Sequence, residues 1–169
     1  SDLARKLNYD NLRFEQGDIK GFNQLGEIDM VISLHACNTA TDDALARAVN
    51  WGAKVILAVP CCQHELLKKI KNEKMAPMMK YGIIKEKVSS LLTDSLRANV
   101  LEIMGYRTQV LEFIDMEHTP KNIMIRAFFE DTPNIDKVVK QYKQFKSEWQ
   151  ISPYIEEAFG TDLTDKLNQ

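Results

Sequence analysis

A chain of 169 residues, 44% of them hydrophobic, is long enough to bury the core of one domain and short for two, so residues 1–169 are expected to form one domain. The formal net charge of −2 gives no general attraction to nucleic acid, and no apolar run approaches the length of a membrane span. Three cysteines cannot all pair within one chain, so we expect them to be thiols, as in a cytoplasmic protein. Because no apolar run is long enough to span a membrane, we also expect no membrane partner.

The first predicted elements are a helix over residues 2–9 and a short strand. Residues 12–16 alternate between apolar and polar side chains, which predicts a strand that ends near Asp18 and Ile19. An aspartate at such a position is most often a turn residue that caps the next segment.

The clearest pattern lies between residues 29 and 64 and predicts a strand, a helix and a second strand. Met30–Leu34 and residues 54–59 are apolar runs too short for helices, and both are predicted to be strands buried on two faces. Between them, residues 39–42 have the spacing of a capping box, and Gly52 is suited to end the helix. The pattern therefore predicts a parallel β–α–β unit.

Reactive side chains follow both strands of this unit. The sequence His35-Ala36-Cys37-Asn38 comes after the first strand, and Pro60-Cys61-Cys62-Gln63-His64 comes after the second. Neighbouring parallel strands end at the same edge of a sheet, and ligands bind beyond their carboxyl ends. The two clusters are therefore predicted to meet in one cleft.

The rest of the chain predicts more helices and one antiparallel strand pair. The predicted elements are a helix over residues 63–74, a loop over 75–80, a helix over 86–104, strands over 106–114 and 122–129, a long helix opened by 131–133, a short helix from 152 to 160 and a peripheral tail. The segment between the two strands is too short for a helical crossover, so that pair should be antiparallel. Lysines are frequent over residues 68–87, which is typical of a solvated face and also offers a surface for a phosphate-bearing acceptor.

This order of elements resembles the later half of a class I S-adenosylmethionine-dependent methyltransferase. Four segments are similar to the methyltransferase-domain family that includes the methyltransferase-like 25 proteins and the glutathione-transferase C-terminal-domain-containing protein, namely LHACNTATDDAL (34–45), PCCQH (60–64), LRANVLEIMGY (96–106) and EHTPKNIMIRA (117–127). The similarity spans residues 1–130 and leaves 131–169 as a C-terminal helical extension. It implies an α/β fold with a Rossmann-like sheet, mostly parallel with a terminal antiparallel strand pair.

The N-terminal part of the methyltransferase fold has no counterpart in this sequence, because the seven glycines form no glycine-rich cofactor loop. The chain is therefore expected to be the carboxyl-terminal portion of a methyltransferase, truncated so that the first two strands of the sheet are missing, and to be inactive alone. The sheet would then have an exposed edge beside Met30–Leu34 through which the chain associates with itself as a homo-oligomer.

The resemblance also implies roles for individual residues, with S-adenosyl-L-methionine as the cofactor. It does not identify the methyl acceptor: an RNA base, a protein side chain and a small molecule all stay open, and the lysine-rich surface favours RNA. The cofactor-binding positions would be Asp18, Ile19, Leu34, His35 and Ala36. The catalytic positions would be His35, Cys37, Asn38 and Cys61, and the substrate-binding positions Pro60, Cys62, His64, Lys121 and Asn122.

Two of these positions have a second interpretation, and a third departs from the family pattern. His35 is placed to remove a proton from the acceptor, and a histidine at a buried strand end is equally typical of a structural residue. Cys61 after a proline resembles the nucleophile of pyrimidine C5 methyltransferases, and a buried inert thiol has the same pattern. Family members more often have glycine at the position of Asn38, which asparagine tolerates if the backbone is left-handed.

The cysteines and histidines are also consistent with a non-catalytic module that binds a metal ion or a protein partner. Cysteine and histidine are the ligands that zinc prefers. However, the spacing in this sequence matches no common zinc-finger pattern, and adjacent cysteines seldom share one ion. The sequence alone therefore assigns no metal site.

Overall fold

The computed structural model describes residues 2–22, 26–34, 36–70, 72–112, 122–131 and 135–169 of the chain. It is a mixed α/β structure. Its elements are α1 (Asp2–Lys6), β1 (Met30–Leu34), α2 (Thr39–Asn50), β2 (Val55–Val59), α3 (Glu65–Lys69), a 3₁₀ turn (Glu73–Met75), α4 (Ala76–Met79), α5 (Gly82–Ile103), β3 (Tyr106–Glu112), β4 (Ile123–Phe129), α6 (Ile135–Trp149), α7 (Ile155–Phe159) and α8 (Thr161–Asn168).

The four strands form one sheet in the order β1-β2-β4-β3. The strands β1 and β2 are parallel neighbours, while β4 runs antiparallel to both β2 and β3. Three strands therefore point in the same direction and only β4 is reversed, although two of the three strand pairings are antiparallel. The predicted parallel unit and the predicted antiparallel pair are both confirmed.

One face of the sheet carries the core. Ile56 and Ala58 of β2 and Ile125 of β4 are fully buried, in one hydrophobic cluster with Leu45 of α2 and Leu96 of α5. Burying each leucine or isoleucine side chain of this cluster contributes roughly 1.5–3 kcal/mol to the stability of the fold.

The opposite face of β1 is open, so the prediction that this strand is buried on two faces is wrong. Met30, Ile32 and Leu34 are 49%, 57% and 58% exposed and alternate with half-buried residues. An apolar run alone does not specify two covered faces, and the described helices supply core partners to one face of β1 only.

Three other predictions, for residues 12–16, 63–74 and 75–80, are also wrong. Residues 12–16 form no strand, because Leu12 and Phe14 remain exposed and β1 pairs only with β2 among the described residues. The helix predicted over residues 63–74 ends at Lys69, where Ile70 turns to an extended conformation. The predicted loop that follows contains α4, which accepts Pro77 in its first turn.

The prediction of a peripheral C-terminal tail is wrong. Residues 161–168 form α8, and the side chain of Leu163 is completely buried in the core cluster. Among the described residues, no helix combines the length and the apolar character that crossing a bilayer requires.

Candidate functional site

The loops that follow β1 and β2 meet at one edge of the sheet. The Sγ atom of Cys37 lies 3.1 Å from that of Cys61, which in turn lies 3.8 Å from the Sγ atom of Cys62. All three sulfur atoms lie within 4.8 Å of one another. The predicted meeting of the two clusters is therefore confirmed for the cysteines, while His35 lies outside the described residues.

Asn38 joins the two loops through both its backbone and its side chain. Its N–H donates to the carbonyl oxygen of Cys62 (2.9 Å), and its Oδ1 accepts from the N–H groups of His64 (3.2 Å) and Glu65 (3.0 Å). Its φ of 54° and ψ of −124° lie in a region where glycine is far more common than other residues. The observed contacts of Asn38 are structural, and its catalytic role stays a prediction.

A buried ion cluster lies directly behind these loops. Arg97 of α5 is 1% exposed, and its Nε and Nη2 donate to the two carboxylate oxygens of Asp42 at 2.7 and 3.1 Å. Its Nη1 donates to Asp94 (3.1 Å), and its Nη2 also donates to the carbonyl oxygen of Asn38 (2.7 Å). Burial raises the pKa of Asp42 and that of Asp94, because it removes water from the charged carboxylates. The single guanidinium of Arg97 lowers both pKa values but offsets this effect only in part.

Gln63 extends this cluster to a cavity of about 330 Å³. Its Nε2 donates to Asp94 (2.9 Å) and to the carbonyl oxygen of Pro60 (3.4 Å). Its Oε1 is buried and has no hydrogen-bond partner among the described residues. Pro60 and Asn122, two of the predicted substrate-binding residues, line the same cavity, whereas Lys121 lies outside the described residues.

The thiol of Cys61 is poorly suited to act as a nucleophile. The hydrogen bond with Cys37, together with burial and the neighbouring Cys62, raises the pKa of Cys61 to about 11. A nucleophilic cysteine needs the opposite shift, toward the thiolate at neutral pH. The local environment therefore favours the neutral, unreactive thiol at this position.

Two predicted cofactor residues lie elsewhere in the structure. Asp18 accepts the N–H of Lys20 (3.0 Å) in a turn, and Asp18 and Ile19 line a surface cavity of about 610 Å³ together with Trp51. Trp51 precedes β2, so it lies at the sheet edge opposite to the cysteines. The structure therefore does not bring Asp18 and Ile19 together with the loop after β1.

The other predicted residues remain near the cysteines. Leu34 is the last residue of β1, with its side chain exposed on the open face, and Ala36 accepts a hydrogen bond from the hydroxyl of Thr41 through its carbonyl oxygen. His64 is exposed just before α3.

Sequence analysis missed Asp94, Arg97 and Gln63. Asp94 and Arg97 are opposite charges three residues apart on the apolar stripe of α5. Because charged residues are almost never fully buried unless they are paired, this spacing was the available signal for a buried ion pair.

Comparison with known proteins gives one finding. Residues 1–69 match a family model described as "Methyltransferase domain". The match includes β1, α2, β2 and all three cysteines, and it supports a domain of the methyltransferase kind. No curated protein and no solved structure matches the chain significantly.

Proposed function

We propose that this chain is the carboxyl-terminal portion of an S-adenosylmethionine-dependent methyltransferase domain with a Rossmann-like sheet. The observation that carries the proposal is the convergence of the loops after β1 and β2 within the segment that matches the methyltransferase model. In parallel α/β sheets, this edge is where ligands bind.

Methyl transfer requires chiefly alignment of the acceptor, exclusion of water and, for some acceptors, removal of a proton. The cofactor would supply the methyl group, and we assign its contacts at this edge to Leu34 and Ala36. Both are apolar residues, Leu34 at the end of β1 and Ala36 in the loop that follows it. We assign His35 as the base. Asn38 and Arg97 hold the loops in position.

The acceptor is proposed to occupy the cavity that Gln63 and Asn122 line. Glu86, Asp94 and Glu112 line this cavity together with one lysine, Lys87, so its lining is more acidic than basic and disfavours a phosphate group. An RNA acceptor would therefore place a base in the cavity and its phosphates on the exposed lysines, which are Lys68, Lys69, Lys74, Lys80 and Lys87.

Two features of β1 support the proposal that upstream strands, with the helices that connect them, complete the sheet. One edge of β1 pairs with no described strand, and one of its faces is open. Exposed apolar side chains on an edge strand are a liability that folded proteins usually cover. Upstream strands would pair with the free edge of β1 and supply the glycine-rich loop that this sequence lacks.

Calorimetric titration with S-adenosylmethionine tests the proposal. A version of the protein extended upstream by about one hundred residues, enough to complete a domain of ordinary size, is expected to bind the cofactor. The 169-residue chain should bind it weakly or not at all. Sedimentation velocity on the same samples should show association through β1 for the shorter chain, since the upstream strands would cover the edge of β1 in the longer version.

Absence of cofactor binding by a folded, extended protein would contradict the proposal. Equal binding by both versions would contradict the part of it that assigns the cofactor loop to the missing strands.

A further inference from the structure

We propose that Cys37, Cys61 and Cys62 form a zinc-binding site with three thiolate ligands and a fourth position open to solvent. The proposal is independent of methyl transfer, because it depends only on the geometry and chemistry of the three sulfur atoms. Nothing in the spacing of the cysteines along the sequence indicates such a site.

The distances between the sulfur atoms fit a tetrahedral zinc ion. With zinc–sulfur bonds of about 2.3 Å, the sulfur atoms of a tetrahedral site lie roughly 3.8 Å apart. The Cys61–Cys62 distance is 3.8 Å, and the Cys37–Cys61 distance of 3.1 Å must open by less than one ångström. The group as a whole lies within 4.8 Å, so side-chain rotations suffice to form the site.

The loops that carry the cysteines are fixed from behind. The backbone hydrogen bond from Asn38 to Cys62 joins the residue after Cys37 directly to the second loop. The buried Arg97 in turn holds the carbonyl oxygen of Asn38. Supporting contacts of this kind fix ligand orientation in metal sites and are a large part of their affinity.

The donor set favours zinc over hard cations such as magnesium. Three sulfur ligands are typical of soft, thiophilic metals, whereas magnesium and calcium require oxygen. Within the described residues, no carboxylate or imidazole atom joins the group of three sulfur atoms. Because Cys37 is exposed, a solvent molecule is available as the fourth ligand.

Binding must release protons. Zinc displaces the proton of each of the three thiols into solvent and forms three zinc–sulfur bonds, which leaves a site with a net charge of −1. Zinc must compete with protons for all three thiols, so affinity for zinc should rise with pH across the neutral range.

Competition with a chromophoric chelator, using the reduced full chain and Zn²⁺ alone, measures the affinity. We expect one zinc ion per chain, and C37S, C61S and C62S should each weaken binding by about a hundredfold. The matched control is K137S, because Lys137 is exposed on α6 and offers no sulfur; it should bind zinc as the unaltered chain does.

Two further measurements on the unaltered chain do not depend on variants that fail to fold. Co²⁺ should give sulfur-to-metal charge-transfer absorption in the near ultraviolet, and Zn²⁺ should protect all three thiols from alkylation. Zinc affinity that none of the three serine variants lowers, or Co²⁺ spectra without thiolate bands, would overturn the proposal. It would also be overturned by a chain that forms a Cys37–Cys61 disulfide in air and, when reduced, binds no zinc.

Discussion

Replacing Arg97 by methionine is expected to lower the free energy of unfolding by about 3–5 kcal/mol. The guanidinium is the partner of Asp42 and Asp94, and all three side chains are at most 4% exposed. Methionine fills most of the volume but leaves two buried carboxylates without a cation. Urea unfolding followed by circular dichroism measures the loss.

The matched control is Arg107→Met. Arg107 donates to Glu130 at 2.7 Å, but both side chains are about half exposed, so this change should cost less than about 1 kcal/mol. Equal losses in the two variants would show that the ion cluster behind the loops is not what stabilises the fold.

The pH dependence of stability gives a second measurement of the same cluster. Because burial raises the folded-state pKa of Asp42 and Asp94 above 3.8, their contribution to stability is fully present below that pH and is lost as the pH rises through the folded-state values. One guanidinium and two carboxylates leave a net charge of −1, which Asp94→Asn removes. That variant should therefore lose part of this pH dependence and be far less destabilised than Arg97→Met at neutral pH.

Asn38→Ala is expected to destabilise the fold by about 1–2 kcal/mol, whereas Asn38→Gly should stay within about 1 kcal/mol of the original chain. Alanine loses the side-chain bonds to the N–H groups of His64 and Glu65 and keeps the unfavourable φ of 54°. Glycine loses the same bonds but relieves the backbone strain, at the cost of a more flexible unfolded chain. Thermal unfolding of the two variants measures the difference.

An alanine variant as stable as the glycine variant would contradict this account of the backbone. The comparison also bears on function, because the same residue joins the loop of Cys37 to the loop of Cys62. In the alanine variant, zinc affinity should fall together with stability, and so should cofactor affinity when the same change is made in the extended protein.

The features that sequence analysis predicted correctly are those encoded locally. The run Met30–Leu34, the helix that Gly52 ends and the second apolar run together require a parallel pair, and that pair brings the cysteines to one edge. Gly52 has a φ of 68°, as the end of such a helix requires. The antiparallel pairing followed from the length of one connection.

The features that it missed depend on residues far apart in the chain. Arg97 and Asp42 are separated by 55 positions, and nothing in either neighbourhood specifies the other. Whether residues 12–16 form a strand depends on an available sheet edge, and whether α8 packs in the core depends on the position of Leu163. Local patterns cannot supply such information, because tertiary contacts override them.

The Oε1 of Gln63 is buried and has no hydrogen-bond partner among the described residues, although the Gln63 side chain lines the adjoining cavity. A buried acceptor without a partner costs about 1–3 kcal/mol, which corresponds to roughly a five- to 150-fold change in an equilibrium constant. A guest that draws this oxygen into the cavity by donating an N–H or O–H group to it would recover that free energy, and a methylated analogue of equal shape would not. An amide and its N-methyl derivative, compared in one titration, would measure the difference.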